Sequence, residues 1–184
     1  MRRPAIALSA LALAFLVVPF GPASAQAPAA PAQAAAIDQP IGKVATLDGS
    51  ATIERKAVVA TLASAATGPI NAKIGDFVYI GDILQTAPVS KLGVVFTDGT
   101  ALNMLASARM ELNEFVYQPD GKWNSSMFNA VRGTFTFLGG KMAKAGNMRV
   151  NTTAATLGIR GTTAHIVIGE DGSVRFSTLV EEKQ

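Results

Sequence analysis

The sequence predicts an all-β domain of about ten or more short strands, built as a β-sandwich or as a β-solenoid-like stack. Three observations carry that expectation. From Ile41 onward, short runs of Val, Ile, Leu, Phe and Thr alternate with Gly-containing corners, and no useful window keeps the period of an amphipathic helix. The Asp-Gly pair that closes hairpins stands between apolar runs in Thr97-Asp98-Gly99 and again in Glu170-Asp171-Gly172. Finally, Val131-Arg132-Gly133-Thr134-Phe135 returns as Ile159-Arg160-Gly161-Thr162-Thr163. Such an echo marks either duplicated coils of a solenoid or equivalent corners of a sandwich.

Ahead of the strands, the chain reads as a leader. Met1-Arg2-Arg3 supplies positive charge, Ala5 to Phe20 an apolar stretch, and Ala23-Ser24-Ala25 the small residues that suit a signal peptidase. Residues 1–25 are expected to be a signal peptide cleaved after Ala25. The apolar run is shorter than the ~20 residues that cross a bilayer and carries Pro19 near its end, so no stable membrane span is expected after cleavage. Residues 26–40, mostly Ala, Pro and Gln, have no periodic apolar face and are expected to be a disordered spacer. The β domain is then expected over 41–179, with a polar tail over 180–184. This organisation implies a periplasmic or secreted protein of a bacterial cell envelope.

The formal net charge is +3. Arg2 and Arg3 contribute two of those charges, so the mature chain is close to neutral. No basic block or Lys/Arg patch interleaved with aromatics is present, which argues against nucleic acid as a partner. The chain has no cysteine, which excludes disulfides, thiol catalysis and thiolate metal sites. Stability must come from core packing and backbone hydrogen bonds.

Taken in order, strands are expected at 42–47 and 50–55. The segment 57–66 reads equally as a short helix or as strand and loop. Phe77-Val78-Tyr79 is a short apolar run between the corners Ile74-Gly75-Asp76 and Ile80-Gly81-Asp82. A hairpin is expected over 92–105, with Val94, Val95 and Phe96 in its first arm and Leu102 and Met104 alternating in its second. A strand over 108–117 leads to the loop Gln118-Pro119-Asp120-Gly121-Lys122. Strands over 127–138 and 147–160 follow, with breaks inside the longer ones. A second hairpin spans 162–179, with Ala164, Ile166 and Ile168 on one face and Val174 and Phe176 on one face of the returning arm.

The candidate chemistry is sparse. Asp76, Asp82, Asp98 and Asp171 each sit beside glycine, where Asp accepts hydrogen bonds from turn amides and Gly tolerates positive φ. Gly81, Asp82, Asp98, Gly99, Asp171 and Gly172 are therefore assigned to turns, and their spacing shows no converging calcium ligands. His165, the single histidine, has no His-x-His or His-Glu cluster around it and is expected to be an exposed or hydrogen-bonded strand residue. No Gly-x-Ser-x-Gly elbow is present, so no catalytic residue, metal or cofactor is expected.

Arg132, Gly133 and Thr134, with Arg160, Gly161 and Thr162, stand out because each Arg interrupts an apolar-rich strand just before Gly-Thr. A guanidinium there can lock one strand layer to the next by pairing with a turn carboxylate such as Asp82 or Asp98. Its functional alternative is contact with an anionic ligand. The structural reading is preferred, since both copies fit strand junctions. Phe115, Tyr117 and Trp123 flank the Pro119-Asp120-Gly121 loop and suit an aromatic patch for a glycan or a protein, or else close one end of the core. Exposed strand edges offer another route to a partner.

Set in order, several pieces form a recognisable series. They are Gly42-Lys43-Val44, Gly49 to Arg55, Gly81-Asp82-Ile83-Leu84-Gln85-Thr86, Val94 through Asp98-Gly99-Thr100, and Thr152 through Arg160-Gly161-Thr162. This ordered set resembles the FecR-domain family over about residues 41–178, with Ala154 standing where the family often has proline. The resemblance implies a non-catalytic interaction or sensing module, similar to the periplasmic part of envelope regulators that relay an outer-membrane transporter's signal to sigma-factor systems. Those regulators also carry a membrane helix and a cytoplasmic domain, which are not expected here, so the domain carries over and the circuit does not. An envelope protein is the expected partner. A glycan or small ligand bound at the aromatic loop is the alternative.

Overall fold

The structure, a computed structural model, describes residues 39–55, 68–121, 123–161 and 163–179. The expectations for the signal peptide, nearly all of the spacer, segment 57–66, Thr162 and the polar tail lie outside the described residues. Within them, the strands are β1 (Gly42–Asp48), β2 (Ala51–Arg55), β3 (Pro69–Asn71), β4 (Phe77–Val78), β5 (Asp82–Thr86), β6 (Lys91–Phe96) and β7 (Ala101–Met104). They continue with β8 (Arg109–Val116), β9 (Ser125–Leu138), β10 (Met148–Asn151), β11 (Thr156–Ile159), β12 (Thr163–Ile168) and β13 (Val174–Leu179), and one helix, α1 (Lys141–Ala145), follows β9.

The all-β expectation holds, as do both hairpins, which are β6–β7 and β12–β13. The sheet has two wings that share β9. The first runs β4-β1-β6-β7-β9-β12-β13 and the second β3-β2-β5-β8-β9-β10-β11. Neighbours pair antiparallel except β9 with β10. A solenoid would stack successive coils as parallel neighbours. Hairpins and antiparallel ladders instead curl the sheet into a sandwich-like body, with side chains of the two wings meeting inside. Phe96 of the first wing stacks on Phe115 and Phe128 of the second, with ring centroids 5.5 and 5.0 Å apart. Phe128 in turn stacks on Phe137 at 5.9 Å.

Strand β9 can serve both wings because its inward phase changes along its length. Ser126, Phe128 and Ala130 are buried in its first half, whereas Phe135 and Phe137 are buried in its second. Strict alternation forbids that switch from even to odd positions. One extra residue permits it. Arg109 pairs with Arg132 while the next residue, Met110, pairs with Ala130, leaving Val131 as a bulge. The strand then turns at Gly133, whose φ is 102°. The second copy of the echo does the same task between strands, since Gly161, with φ 93°, lies where the chain leaves β11 in the second wing and enters β12 in the first. The repeated Arg-Gly pair thus marks two wing-crossing corners.

Helix α1 was not expected from the sequence. Five residues are too few to show a period, and the helix anchors to the core by burying Met142 and Ala143.

Candidate functional site

The side chains that bear on function fall into two groups, one buried in corners that the sequence singled out and one exposed on a sheet face. The Asp98-Gly99-Thr100 corner belongs to the first. Asp98 is 3 % exposed, and its carboxylate accepts the Thr100 N–H at 2.9 Å and the Thr100 hydroxyl at 2.7 Å. It also accepts the Met142 N–H at 3.2 Å, while the Asp98 backbone carbonyl accepts the Lys141 N–H at 3.0 Å. The Thr100 hydroxyl accepts from Gly140 N–H at 3.1 Å. These are amides at the start of α1, which have no acceptor within the helix. Gly140 must be glycine for the approach, because a Cβ there would lie 2.3 Å from the Thr100 nitrogen.

The far end of α1 receives the other signature. Gly161 N–H donates to the Ala143 carbonyl at 2.9 Å, and Arg160 Cδ lies 3.5 Å from where a Cβ on Gly146 would sit. The Asp-Gly-Thr and Arg-Gly corners, distant in sequence, therefore meet on one short helix.

Strand β5 is pinned in the same way. The Asp82 carboxylate accepts the Tyr79 N–H at 2.9 Å and lies 3.7 Å from Arg55 Nε, whose guanidinium sits 4.7 Å from the Tyr79 ring centroid. At the other end, the Thr86 hydroxyl donates to the Leu105 carbonyl at 2.6 Å and accepts the Ala108 N–H at 2.9 Å. Asp171 also serves its own turn, accepting the Ser173 N–H at 3.0 Å, and hydrogen bonds from Ser173 hold its carboxyl below the usual range.

Burial pushes the Asp82 carboxyl above its ordinary value, opposed by the Tyr79 amide and by Arg55. A carboxyl whose folded pKa exceeds its unfolded one binds its proton more tightly in the folded chain. Its contribution therefore favours folding at low pH and is lost as pH rises from the ordinary carboxylate range through the raised value. Asp82→Asn is expected to gain stability relative to the parent across that window, measured by urea melts at a series of pH values. Parallel pH profiles for the two proteins would contradict this.

The expected pairing of Arg132 and Arg160 with Asp82 or Asp98 is corrected by the structure. Asp82 faces Arg55, and Asp98 is filled by Thr100 and Met142. Both carboxylates are engaged by these other groups, whereas both arginines are exposed. Arg132 lies opposite Arg109, and Arg109 turns to Gln85 at 3.0 Å and Glu54 at 3.7 Å.

The aromatic trio is also divided. Phe115 faces inward and is 5 % exposed against Phe96. Tyr117 is half-buried with Lys141 Nζ 5.9 Å from its ring centroid, and Trp123 is 89 % exposed. A cavity of about 180 Å³ at this end is lined by Ile41, Ile80, Thr97 and Tyr117 among others, and not by Trp123.

The second group lies on the solvent face of the first wing, where strand register assembles rows that no sequence window contains. Lys43 stands opposite Phe77 and Val95, Val95 opposite Ala101, and Ala101 opposite Leu138. Phe77, Val95 and Leu138 are 52 %, 44 % and 45 % exposed. The neighbouring row is polar. It runs through Thr46, Gly93, Asn103, Thr136, His165 and Ser177, each the register partner of the next. His165 is a hydrogen-bonded strand residue, its Nδ1 lying 3.0 Å from the Thr136 hydroxyl.

Among the described residues, no group of three or more His, Asp or Glu is placed to hold a metal, and no helix is long and apolar enough to cross a membrane. A family model described as FecR protein matches residues 82–180, a stretch that starts at Asp82 and holds the Asp98-Gly99-Thr100 and Arg160-Gly161-Thr162 pieces. Neither a curated protein nor a solved structure matches the chain.

Proposed function

The chain belongs to the FecR family, and from that premise we propose that it is a non-catalytic, extracytoplasmic module that docks another envelope protein on the solvent face of its first wing. The observation that carries this reading is the solvent-facing row Phe77, Lys43, Val95, Ala101 and Leu138, continuous in register across five strands and apolar at every place but Lys43, with Phe77, Val95 and Leu138 exposed. Surface-exposed apolar side chains in a contiguous row mark interaction sites more often than scattered ones do. Asp82, Thr86, Asp98 and Thr100 support the non-catalytic part, because hydrogen bonds to the surrounding backbone and turns engage each of them. The leader-like residues 1–25 support export to the periplasm or beyond. The glycan alternative has less support, since Trp123 is the only fully exposed ring of its trio.

The test is crosslinking inside the producing cell followed by mass spectrometry, comparing the parent with a Val95→Glu, Leu138→Glu double variant. A specific envelope protein captured by the parent is expected to fall at least about tenfold in the variant, because charges at the centre of a docking row disrupt it. Both side chains already face solvent, so the melting temperature is expected to change little. Equal capture by the two proteins would refute the docking face.

A further inference from the structure

Among the described residues, strand β13 ends the first wing and pairs only with β12. Its outer edge therefore presents the backbone N–H and C=O groups of alternate residues to solvent. The inward row that it ends runs Leu92, Met104, Phe135, Ile166 and Phe176, each the register partner of the next. The first four are at most 1 % exposed, whereas Phe176 is 43 % exposed. A core row thus stops at an uncovered ring. Natural sheets blunt such edges with proline, lysine or a bulge, and β13 has none of these, only Arg175 on its opposite face.

We propose that a second copy of this chain covers that edge, by antiparallel β13–β13 pairing about a two-fold axis at Phe176. Residues directly opposite in a sheet project to the same face, so inward positions must meet inward ones. That restricts symmetric pairing to registers centred on one residue. Centring on Arg175 sets like charges against each other, and centring on Ser177 sets the Phe176 ring against Thr178. Centring on Phe176 places ring against ring inside, Val174 opposite Thr178, and Arg175 opposite Ser177 outside. It is the one register of the three that covers the apolar ring with another and keeps the arginines apart. The pairing is isologous, so it closes as a dimer. The apolar row on the solvent face lies elsewhere and stays free, so this inference is independent of the proposed docking role.

The register predicts opposite effects from two substitutions at one residue. Ser177→Lys puts a positive charge opposite Arg175 twice by symmetry, and Ser177→Glu puts a negative charge there twice. Sedimentation equilibrium of the mature protein is expected to show a monomer–dimer equilibrium. Its Kd should rise roughly three- to tenfold in Ser177→Lys and fall by a similar factor in Ser177→Glu. Thermal melts at concentrations where each protein is monomeric separate these effects from changes within the protomer, where Ser177 faces His165. A chain that stays monomeric up to high concentration would overturn the proposal, as would two variants that shift Kd in the same direction. A dimer insensitive to Ser177 but abolished by Val95→Glu would overturn it too, placing self-contact on the sheet face.

Discussion

Gly133→Ala is expected to destabilise the chain by about 3 kcal/mol or more, enough to lower the melting temperature by roughly 10 °C. Two separate costs add at this position. At a φ of 102°, any side chain with a Cβ is strained by ~1–2 kcal/mol. In addition, a Cβ at Gly133 would lie 2.5 Å from both Cα and Cβ of Ala108. Ala108 cannot retreat easily. It is fully buried, its N–H is held by the Thr86 hydroxyl, and its carbonyl accepts the Thr86 N–H at 3.0 Å. The second corner supplies the control, because Gly161 has a φ of 93° and nothing within 4 Å of an added Cβ. Gly161→Ala is expected to cost only the conformational share, ~1–2 kcal/mol. Denaturant melts of the two variants therefore separate strain from collision. A Gly133→Ala loss no greater than that of Gly161→Ala would show that the wing crossing at β9 tolerates a methyl group.

How far the fold could be read in advance follows from how local each cause is. The hairpins at Asp98-Gly99 and Asp171-Gly172 were legible because alternation, turn chemistry and pairing all lie within a few residues. The repeated Arg-Gly pair could be seen, but whether it marked coils or corners depended on which strands it joined, and that is a property of long-range pairing. The phase change in β9 depends on Val131 having no partner in β8, which requires knowing the register of both strands. Helix α1 escaped notice because the groups that hold its backbone at either end, Asp98 and Gly161, lie outside the segment. The same limit explains the arginines. Charge complementarity suggested Asp82 and Asp98 as partners, but each carboxylate is engaged within its own corner. The solvent-facing row of Phe77, Lys43, Val95, Ala101 and Leu138 draws on five strands of one wing, so no motif could have announced it.

Asp98→Ala is expected to cost about 3 kcal/mol, and its effect should reach a corner that Asp98 does not touch. The substitution leaves the Thr100 amide, the Thr100 hydroxyl and the Met142 amide without their buried acceptor. Each orphaned buried donor costs ~1–3 kcal/mol, and partial relaxation of so short a helix keeps the sum below simple addition. Thr100→Val removes the hydroxyl that links Asp98 to the Gly140 amide and is expected to cost ~1–2 kcal/mol. Because the two side chains share one hydrogen bond, the double variant should cost less than the sum of the singles, by about 1 kcal/mol in a double-mutant cycle. The helix they hold also carries the acceptor for Gly161, the Ala143 carbonyl. Loosening α1 at its start therefore frees the wing crossing at its end. Amide hydrogen exchange should show Gly161 losing protection in Asp98→Ala by more than the global loss of stability accounts for, while Ala164 and Ile166 in β12 follow the global change. If Gly161 merely follows the global change, the two family signatures are stabilised independently and α1 does not couple them.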